Sequence, residues 1–367
     1  MEKLEEKWVS RAGKQRQVEC GSSSAGRAQP CQGWGREFES LLPLQNEVSK
    51  CSSENTRALF LVYPTRAIEI FYAAHMELVF VGLGAMGYPM AGHLARAFPT
   101  TIWNRNPQKA EDHAREFGSQ AASSLSQAVK QADIVFTCLP TTREVLEVLP
   151  EIVQSARVGT IWVDCTSGHP DDLPTILRAL KGTGILFLDA PLSGGTAGAI
   201  NARLTVMVGG EVEVFERVKP VLERVAAKIV RVGGAGAGYS VKAINNMLLA
   251  VTLWATGEGL VSLASLGVDV GAALEVINAS SGRSNASENL IPQRVLTREF
   301  PATFKLGLLS KDAGIAGDVT RRSSASTPLF ALTETLMRTA KLEVGTDEDH
   351  TAALKLLERW AGVEIKG

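Results

Sequence analysis

Lys242 and Asn246 lie four residues apart in the run Gly236-Ala237-Gly238-Tyr239-Ser240-Val241-Lys242-Ala243-Ile244-Asn245-Asn246. On a helix that spacing puts both side chains on one face. The surrounding positions are largely apolar, and a lysine and an amide buried among them are costly unless they act on something. A lysine whose pKa is lowered by burial and a nearby cation can take up or release a proton near neutral pH. A second stretch, Asp189-Ala190-Pro191-Leu192-Ser193-Gly194-Gly195-Thr196, joins the Ser193 hydroxyl to the exposed backbone amides of a glycine turn at Gly194 and Gly195. Such a turn suits a carboxylate. A third stretch, Phe304 to Asp312, places Lys311 beside Asp312.

Upstream, Leu78-Val79-Phe80-Val81 reads as a buried strand, and Gly82, Gly84 and Gly87 follow with G-x-G-x-x-G spacing. Apolar positions then recur at helical spacing through Arg96. Strand, glycine turn and helix together point to a dinucleotide site made by Gly82, Leu83, Gly84, Ala85, Met86 and Gly87. The first glycine turns the chain, the second admits a pyrophosphate and the third lets helix and strand pack. About 20 residues on, where an NAD site usually carries an acidic residue for the ribose 2′-hydroxyl, the chain reads Trp103-Asn104-Arg105-Asn106. Asn104 can bond a hydroxyl or a phosphate without repelling either. Arg105 offers a planar fork of donors suited to a 2′-phosphate. NADP(H) is expected over NAD(H).

Several elements must position these groups. Apolar runs at 78–81, 101–103, 134–138, 160–164, 186–188, 205–208 and 228–232 read as strands. Helical patterns fall at 86–97, 107–116, 125–130, 142–154, 170–180 and 212–224. This alternation predicts a parallel sheet covered on both faces. Past the glycine-rich joint 233–238 the strand signals fade. Residues 239–266 read as one long, mostly buried helix, with Asp269 as N-cap of the next. Further helices are expected at 270–279, 304–316, 328–342 and 349–360. The fold class is therefore an α/β Rossmann domain at 76–237, then an all-α domain at 238–363 entered through the long interdomain helix.

Residues 1–75 depart from this pattern. The first 55 are rich in Ser, Gly, Arg, Gln and Glu, show little periodicity and hold Cys20, Cys31 and Cys51. The stretch from Gly21 to Ser40 resembles the conceptual translation of a transfer-RNA gene. The expectation is a spurious or disordered N-terminal extension, with synthesis starting at Met76. The net charge of −1 gives no reason to expect nucleic acid or an anionic membrane as partner. No stretch reaches the ~18 consecutive apolar residues of a membrane span. The five cysteines show no metal-site spacing, and Cys138 and Cys165 in strand-like runs are expected to be buried thiols. A reduced, cytoplasmic setting fits that usage. No metal is expected.

With the glycine loop, the three stretches resemble the β-hydroxyacid dehydrogenase family in the expected order from Met76 nearly to the C-terminus. The segments Ile277 to Ser284, Gly84 to Met90 and Thr166 to Pro170 look most like its 3-hydroxyisobutyrate branch. The resemblance implies a nicotinamide-dependent enzyme interconverting a hydroxy acid and its semialdehyde. It makes Lys242 the general acid/base and Asn246 the residue orienting the reacting oxygen. Ser193, Gly194 and Gly195 would hold the substrate carboxylate. Leu139 and Pro140 would line the nucleotide site, Thr166 or Ser167 would lie near the nicotinamide, and Lys311 would close over the cofactor. The family also implies a homodimer or homotetramer.

The chain departs from the family at Ile200-Asn201-Ala202-Arg203-Leu204-Thr205, where Ala202 and Arg203 replace the usual Gly-Thr pair. That bears on substrate choice. The leading reading is a 3-hydroxyisobutyrate dehydrogenase-like enzyme. The alternative is a glyoxylate, succinic semialdehyde or tartronate semialdehyde reductase. A remoter alternative is a non-catalytic nucleotide-binding module, against which the retained Lys242 argues.

Overall fold

The computed structural model describes residues 76–366, so the expectation for residues 1–75 lies outside the described residues. The first strands alternate their side chains between two apolar clusters. Leu78 and Phe80 of β1 (Leu78–Val81), Ile134 and Phe136 of β4 (Ile134–Thr137) and Ile161 and Val163 of β5 (Ile161–Asp164) enter one cluster. Val79, Val81, Val135 and Trp162 enter the other. A period of two with both faces apolar is what a doubly covered sheet requires.

Between and beside these strands lie α1 (Gly87–Ala95), β2 (Thr100–Trp103), α2 (Pro107–Phe117), β3 (Gln120–Ala121), α3 (Leu125–Val129) and α4 (Thr142–Ser155). After β5 come α5 (Leu173–Leu180), β6 (Leu186–Asp189), β7 (Leu192–Ser193), α6 (Gly195–Ile200), β8 (Leu204–Gly209), α7 (Val212–Leu222) and β9 (Ala226–Gly233). The sheet order is β3-β2-β1-β4-β5-β6-β8-β7, with β9 on β8. From β3 to β6 the pairing is parallel, and the order reverses between β1 and β4. That reversal opens a crevice at the carboxyl ends of the strands, where nucleotides bind in such sheets.

The sheet is not wholly parallel, contrary to the expectation. β8 runs antiparallel to β6 and β7. Between β6 and β8 the chain forms only β7 and the six-residue α6, and β8 then returns between β6 and β7, antiparallel to both. These two elements and β3 are too short to leave a periodic signal.

The second half is helical: α8 (Ala237–Ser265), α9 (Val270–Asn278), a π-helical segment (Ala286–Val295), α10 (Leu306–Arg322), α11 (Pro328–Val344), a 3-10 turn (His350–Ala353) and α12 (Leu354–Ala361). Asp269 caps α9, accepting from Ala272 N at 2.8 Å. Residues 170–172 and 304–305, expected in helices, lie outside α5 and α10. The π-helical segment, with Pro292 inside it, had no periodic signature. α8 is 29 residues long and its apolar window has a mean hydropathy of 1.5, enough by length and composition to cross a membrane. Here it is the spine of the helical core, packed by α10, α11 and α12. Only 39% of that window is buried, less than expected, and Val241 and Leu248 of the helix are exposed.

The loop after β5 meets α10. His169 Nε2 lies 3.1 Å from Asp318 Oδ2, and Arg322 pairs with Asp171. The nucleotide-type sheet and the helical core are thus held together beside the crevice.

Candidate active site

Three glycines shape the first turn for three different reasons. Gly82 has φ +99°, and a Cβ there would meet the Cys138 carbonyl oxygen at 2.5 Å. A Cβ on Gly87 would fall 2.0 Å from the Gly82 oxygen, so helix and turn touch through bare backbone. Gly84 is exposed, and a Cβ there would meet nothing within 4 Å. α1 begins with neither a side-chain cap nor an acidic residue in its first turn. Its positive end therefore faces the open space over Gly84 uncompensated. Leu83, behind the turn, is buried, whereas Ala85 is exposed and Met86 half-buried. This cradle fits a dinucleotide pyrophosphate.

Asn104, at the end of β2, accepts a hydrogen bond from Leu83 N at 3.0 Å and donates to the Asn106 carbonyl at 2.9 Å. Its amide braces the glycine turn, a task the sequence did not reveal. Arg105 projects outward, with its side chain 81% exposed and only a loose 3.8 Å approach to Glu147. Leu139 and Pro140 follow β4 on the far wall of the crevice, Leu139 half-buried and Pro140 exposed.

Under the crevice lies a buried carboxylate that sequence reasoning missed. Asp164 ends β5 and is fully buried. It accepts from Thr137 Oγ1 and Thr166 Oγ1, each at 2.6 Å, from Thr166 N at 3.2 Å, and from the Tyr239 hydroxyl on α8. Thr166 Oγ1 in turn accepts from Leu139 N at 3.1 Å. The Thr166 side chain thus turns inward and ties the two crevice loops, leaving half-buried Ser167 at the surface. Burial pushes the Asp164 carboxyl up from its ordinary value, and its hydrogen bonds pull it back.

Asp189, also fully buried at the end of β6, accepts from Gly236 N at 2.7 Å and Tyr239 N at 2.9 Å. A carboxylate from another strand so caps α8, whose own N-cap position, Gly236, has no side chain to do it. The signal available in sequence was an aspartate ending each apolar strand, but nothing local says which donors it meets.

One turn into α8, Lys242 and Asn246 share a face as their spacing predicts. Asn246 is buried and donates Nδ2 to Asp312 Oδ2 at 2.6 Å. Asp312 Oδ1 faces Lys311 Nζ at 2.8 Å as an ion pair without a directed hydrogen bond. Lys311 Nζ donates to the Ser167 carbonyl at 2.8 Å, joining α10 to the loop after β5. Part of Lys242 reaches solvent, yet burial pushes its pKa below the ordinary 10.5. Asp312 pulls it up and Lys311 pushes it down.

Ser193 pairs with Thr205 at the sheet edge and is half-buried. Gly194 and Gly195 follow with φ +125° and +60°, both exposed. A Cβ on Gly195 would meet nothing within 4 Å. Ala202, in the same connection, holds φ +52°, the left-handed region that a glycine would occupy without strain. The departure from the family pattern therefore puts a Cβ on a backbone conformation that glycine adopts freely. Arg203 is exposed. Cys165 is buried, and although Cys138 is half-buried as a residue, burial pushes its thiol up to about 12, so both thiols are enclosed as expected.

A Rossmann crevice with an open glycine cradle, beside a helix bearing a lysine with lowered pKa, defines a nucleotide-dependent oxidoreductase. Residues 77–234 match the family described as the NAD binding domain of 6-phosphogluconate dehydrogenase. Residues 236–357 match the NAD-binding domain of NADP-dependent 3-hydroxyisobutyrate dehydrogenase. The chain is 32% identical over 296 residues to 2-(hydroxymethyl)glutarate dehydrogenase of Eubacterium barkeri, covering 80% of this chain and 98% of that one. It is 32% identical over 297 residues to 2-hydroxy-3-oxopropionate reductase of Escherichia coli K12, covering 79% and 100%. The solved structure of Mycobacterium tuberculosis 3-hydroxyisobutyrate dehydrogenase with L-serine superposes with a TM-score of 0.72 at 32% identity, covering 77% and 99%. The chain belongs to the β-hydroxyacid dehydrogenase family, close to 3-hydroxyisobutyrate dehydrogenase. It is an NAD(P)-dependent dehydrogenase acting on the hydroxyl group of small hydroxy acids.

Proposed function

We propose that the chain is an NADP(H)-preferring, 3-hydroxyisobutyrate dehydrogenase-like enzyme in which Lys242 is the proton acceptor and donor. The observation that carries this reading is Lys242 on the Asn246 face of α8, with its pKa lowered by burial and by Lys311. In the oxidation of a 3-hydroxy acid to its semialdehyde, the hydroxyl oxygen loses a proton and its carbon loses a hydrogen with two electrons. When bound, the nicotinamide supplies the acceptor for that electron pair and hydrogen, and returns them in reduction.

The neutral Lys242 amine takes the hydroxyl proton, and the ammonium gives it back in reduction. The Asn246 amide, held by Asp312, directs the substrate oxygen toward Nζ. Ser193, Gly194 and Gly195 hold the carboxylate. Gly82 to Gly87, Asn104, Leu139, Pro140, Thr166, Ser167 and Lys311 form and brace the dinucleotide site. Arg105, almost free of protein partners, supports the preference for a 2′-phosphate.

The setting we infer is cytoplasmic, in keeping with the free thiols Cys138 and Cys165. The assembly is a homodimer or homotetramer, supported by the apolar side chains α8 leaves exposed. Light scattering on the purified chain tests the latter.

A second reading, a reductase of glyoxylate, succinic semialdehyde or tartronate semialdehyde, is supported by Asn104 and the exposed Arg105, since reductive enzymes tend to use NADPH, and the altered Ala202-Arg203 connection leaves substrate choice open between the two. Steady-state rates decide between them. The assay pairs 3-hydroxyisobutyrate with NADP+ and NAD+, and the aldehydes with NADPH and NADH, with and without Lys242→Ala. Highest kcat/KM on 3-hydroxyisobutyrate with NADP+, reduced about 10²–10⁴-fold by the substitution, supports the first reading. Preference for an aldehyde supports the second. Full activity in Lys242→Ala removes the acid–base assignment from both.

A further inference from the structure

Lys242 sits inside a closed circuit of long-range contacts. Tyr239 donates its hydroxyl to Asp164, Thr166 Oγ1 donates to the same carboxylate, and the next residue, Ser167, accepts from Lys311 Nζ. Lys311 pairs with Asp312, Asp312 accepts from Asn246, and α8 closes the circuit back to Tyr239. Tyr239, Lys242 and Asn246 stand at i, i+3 and i+7 on one face of that helix. The lysine is therefore bracketed by two pins, and each leads to the loop after β5.

The Tyr239 pin has features that stability alone does not call for. Tyr239 and Asp164 are both fully buried, and an apolar pair of the same volume would fill the space without a desolvated carboxylate. The tyrosine ring rests on Gly168, where a Cβ would come within 2.7 Å of it, so the phenol is wedged against the loop that follows the strand its hydroxyl grips. Every side chain donating to Asp164 belongs to an element flanking the crevice: Thr137 ends β4, Thr166 follows β5 and Tyr239 starts α8. Lys242 follows Tyr239 by three residues, about 4.5 Å along the helix axis.

We propose that Tyr239 and Asp164 are positioning residues that set the rotation and height of the first turn of α8, and so place the Lys242 amine against the loop after β5. This rests on Lys242 being the proton acceptor. Neither residue touches the reacting atoms. They act through the lysine.

A double-substitution cycle on the full 367-residue chain tests this, using 3-hydroxyisobutyrate with NADP+, or whichever pair is turned over fastest in the assay above. Tyr239→Phe keeps the ring on Gly168 and removes only the hydroxyl. The expected result is a kcat about 10- to 100-fold lower, with the dinucleotide KM within threefold of the unaltered chain. In a Lys242→Met background, read by single-turnover fluorescence, Tyr239→Phe should cost less than twofold more, because there is no amine left to misplace. Equal losses in both backgrounds, or a Tyr239→Phe kcat within twofold of the unaltered chain, overturn the positioning role and leave the lysine assignment standing. Unchanged turnover in Lys242→Met, or no turnover by the unaltered chain, overturns the lysine assignment and this inference with it. Asp164→Asn should reproduce the Tyr239→Phe split where it folds. Where it does not fold, Tyr239→Phe decides alone.

Discussion

The Asn246 side-chain amide donates to the Asp312 carboxylate at 2.6 Å, across 66 positions of sequence, and both groups are buried. The bond makes Asp312 the meeting point of three groups. It fixes the amide, pairs with Lys311 and draws the Lys242 pKa upward. The carboxylate that fixes the amide also opposes the lowering of the Lys242 pKa by burial.

With Lys242 as the proposed proton acceptor, the oxidation rate should rise with pH through its pKa, because only a neutral amine accepts a proton. Burial and Lys311 lower that pKa, so the limb lies below the ordinary lysine value of 10.5. Asp312→Asn removes the charge that stabilises the ammonium and should move the limb to lower pH. Lys311→Met removes the opposing cation and should move it to higher pH. Profiles of log kcat/KM for the two variants check both signs, and shifts in the same direction contradict the arrangement.

The glycine turn predicts two different failures. Gly84→Ala points its methyl into open space and should leave stability within about 0.5 kcal/mol of the unaltered chain. It should still weaken dinucleotide binding about tenfold or more, because in the proposed site the pyrophosphate approaches through that space. Gly87→Ala puts a methyl 2.0 Å from the Gly82 oxygen and should cost about 1–3 kcal/mol of folding free energy. Denaturant unfolding and calorimetric titration with NADP+ separate the two.

Removing the exposed guanidinium in Arg105→Ala should lower the NADP+ to NAD+ ratio of kcat/KM about tenfold, with stability unchanged, since its contact with Glu147 is loose and solvent-screened. Asn104→Asp keeps an oxygen for Leu83 N and adds a charge that repels a 2′-phosphate. It should move the ratio further toward NAD+. An unchanged ratio in both variants would remove the case for NADP(H).

Ala202 at φ +52° carries a strain that glycine does not. Ala202→Gly should raise folding stability by about 0.5–1 kcal/mol, the relief of that strain less the greater freedom of glycine in the unfolded chain. Urea unfolding at constant m value is the measurement. A loss of stability would mean that the side chain packs favourably in the loop.

Short-range order was legible in the chain alone. The alternating strands, the glycine spacing, the Asp269 cap and the placing of Lys242 and Asn246 on one face all follow from neighbours a few residues apart, where backbone geometry dictates which side chains meet. The antiparallel β8 was not legible, because its direction is set by the short β7 and α6, which carry no period. The circuit around Lys242 was beyond reach because its contacts join segments far apart in the chain. Tyr239 meets Asp164 across 75 positions, and Lys311 meets Ser167 across 144. A buried aspartate ending an apolar strand looks alike in sequence whether it caps a helix, as Asp189 does, or grips a phenol, as Asp164 does. Which donor reaches each carboxylate is decided by how the helical half seats against the carboxyl ends of the strands. Only the tertiary fold fixes the Asn246 amide and buries Lys242 near Asp312 and Lys311, because desolvated carboxylates need partners that distant segments alone supply.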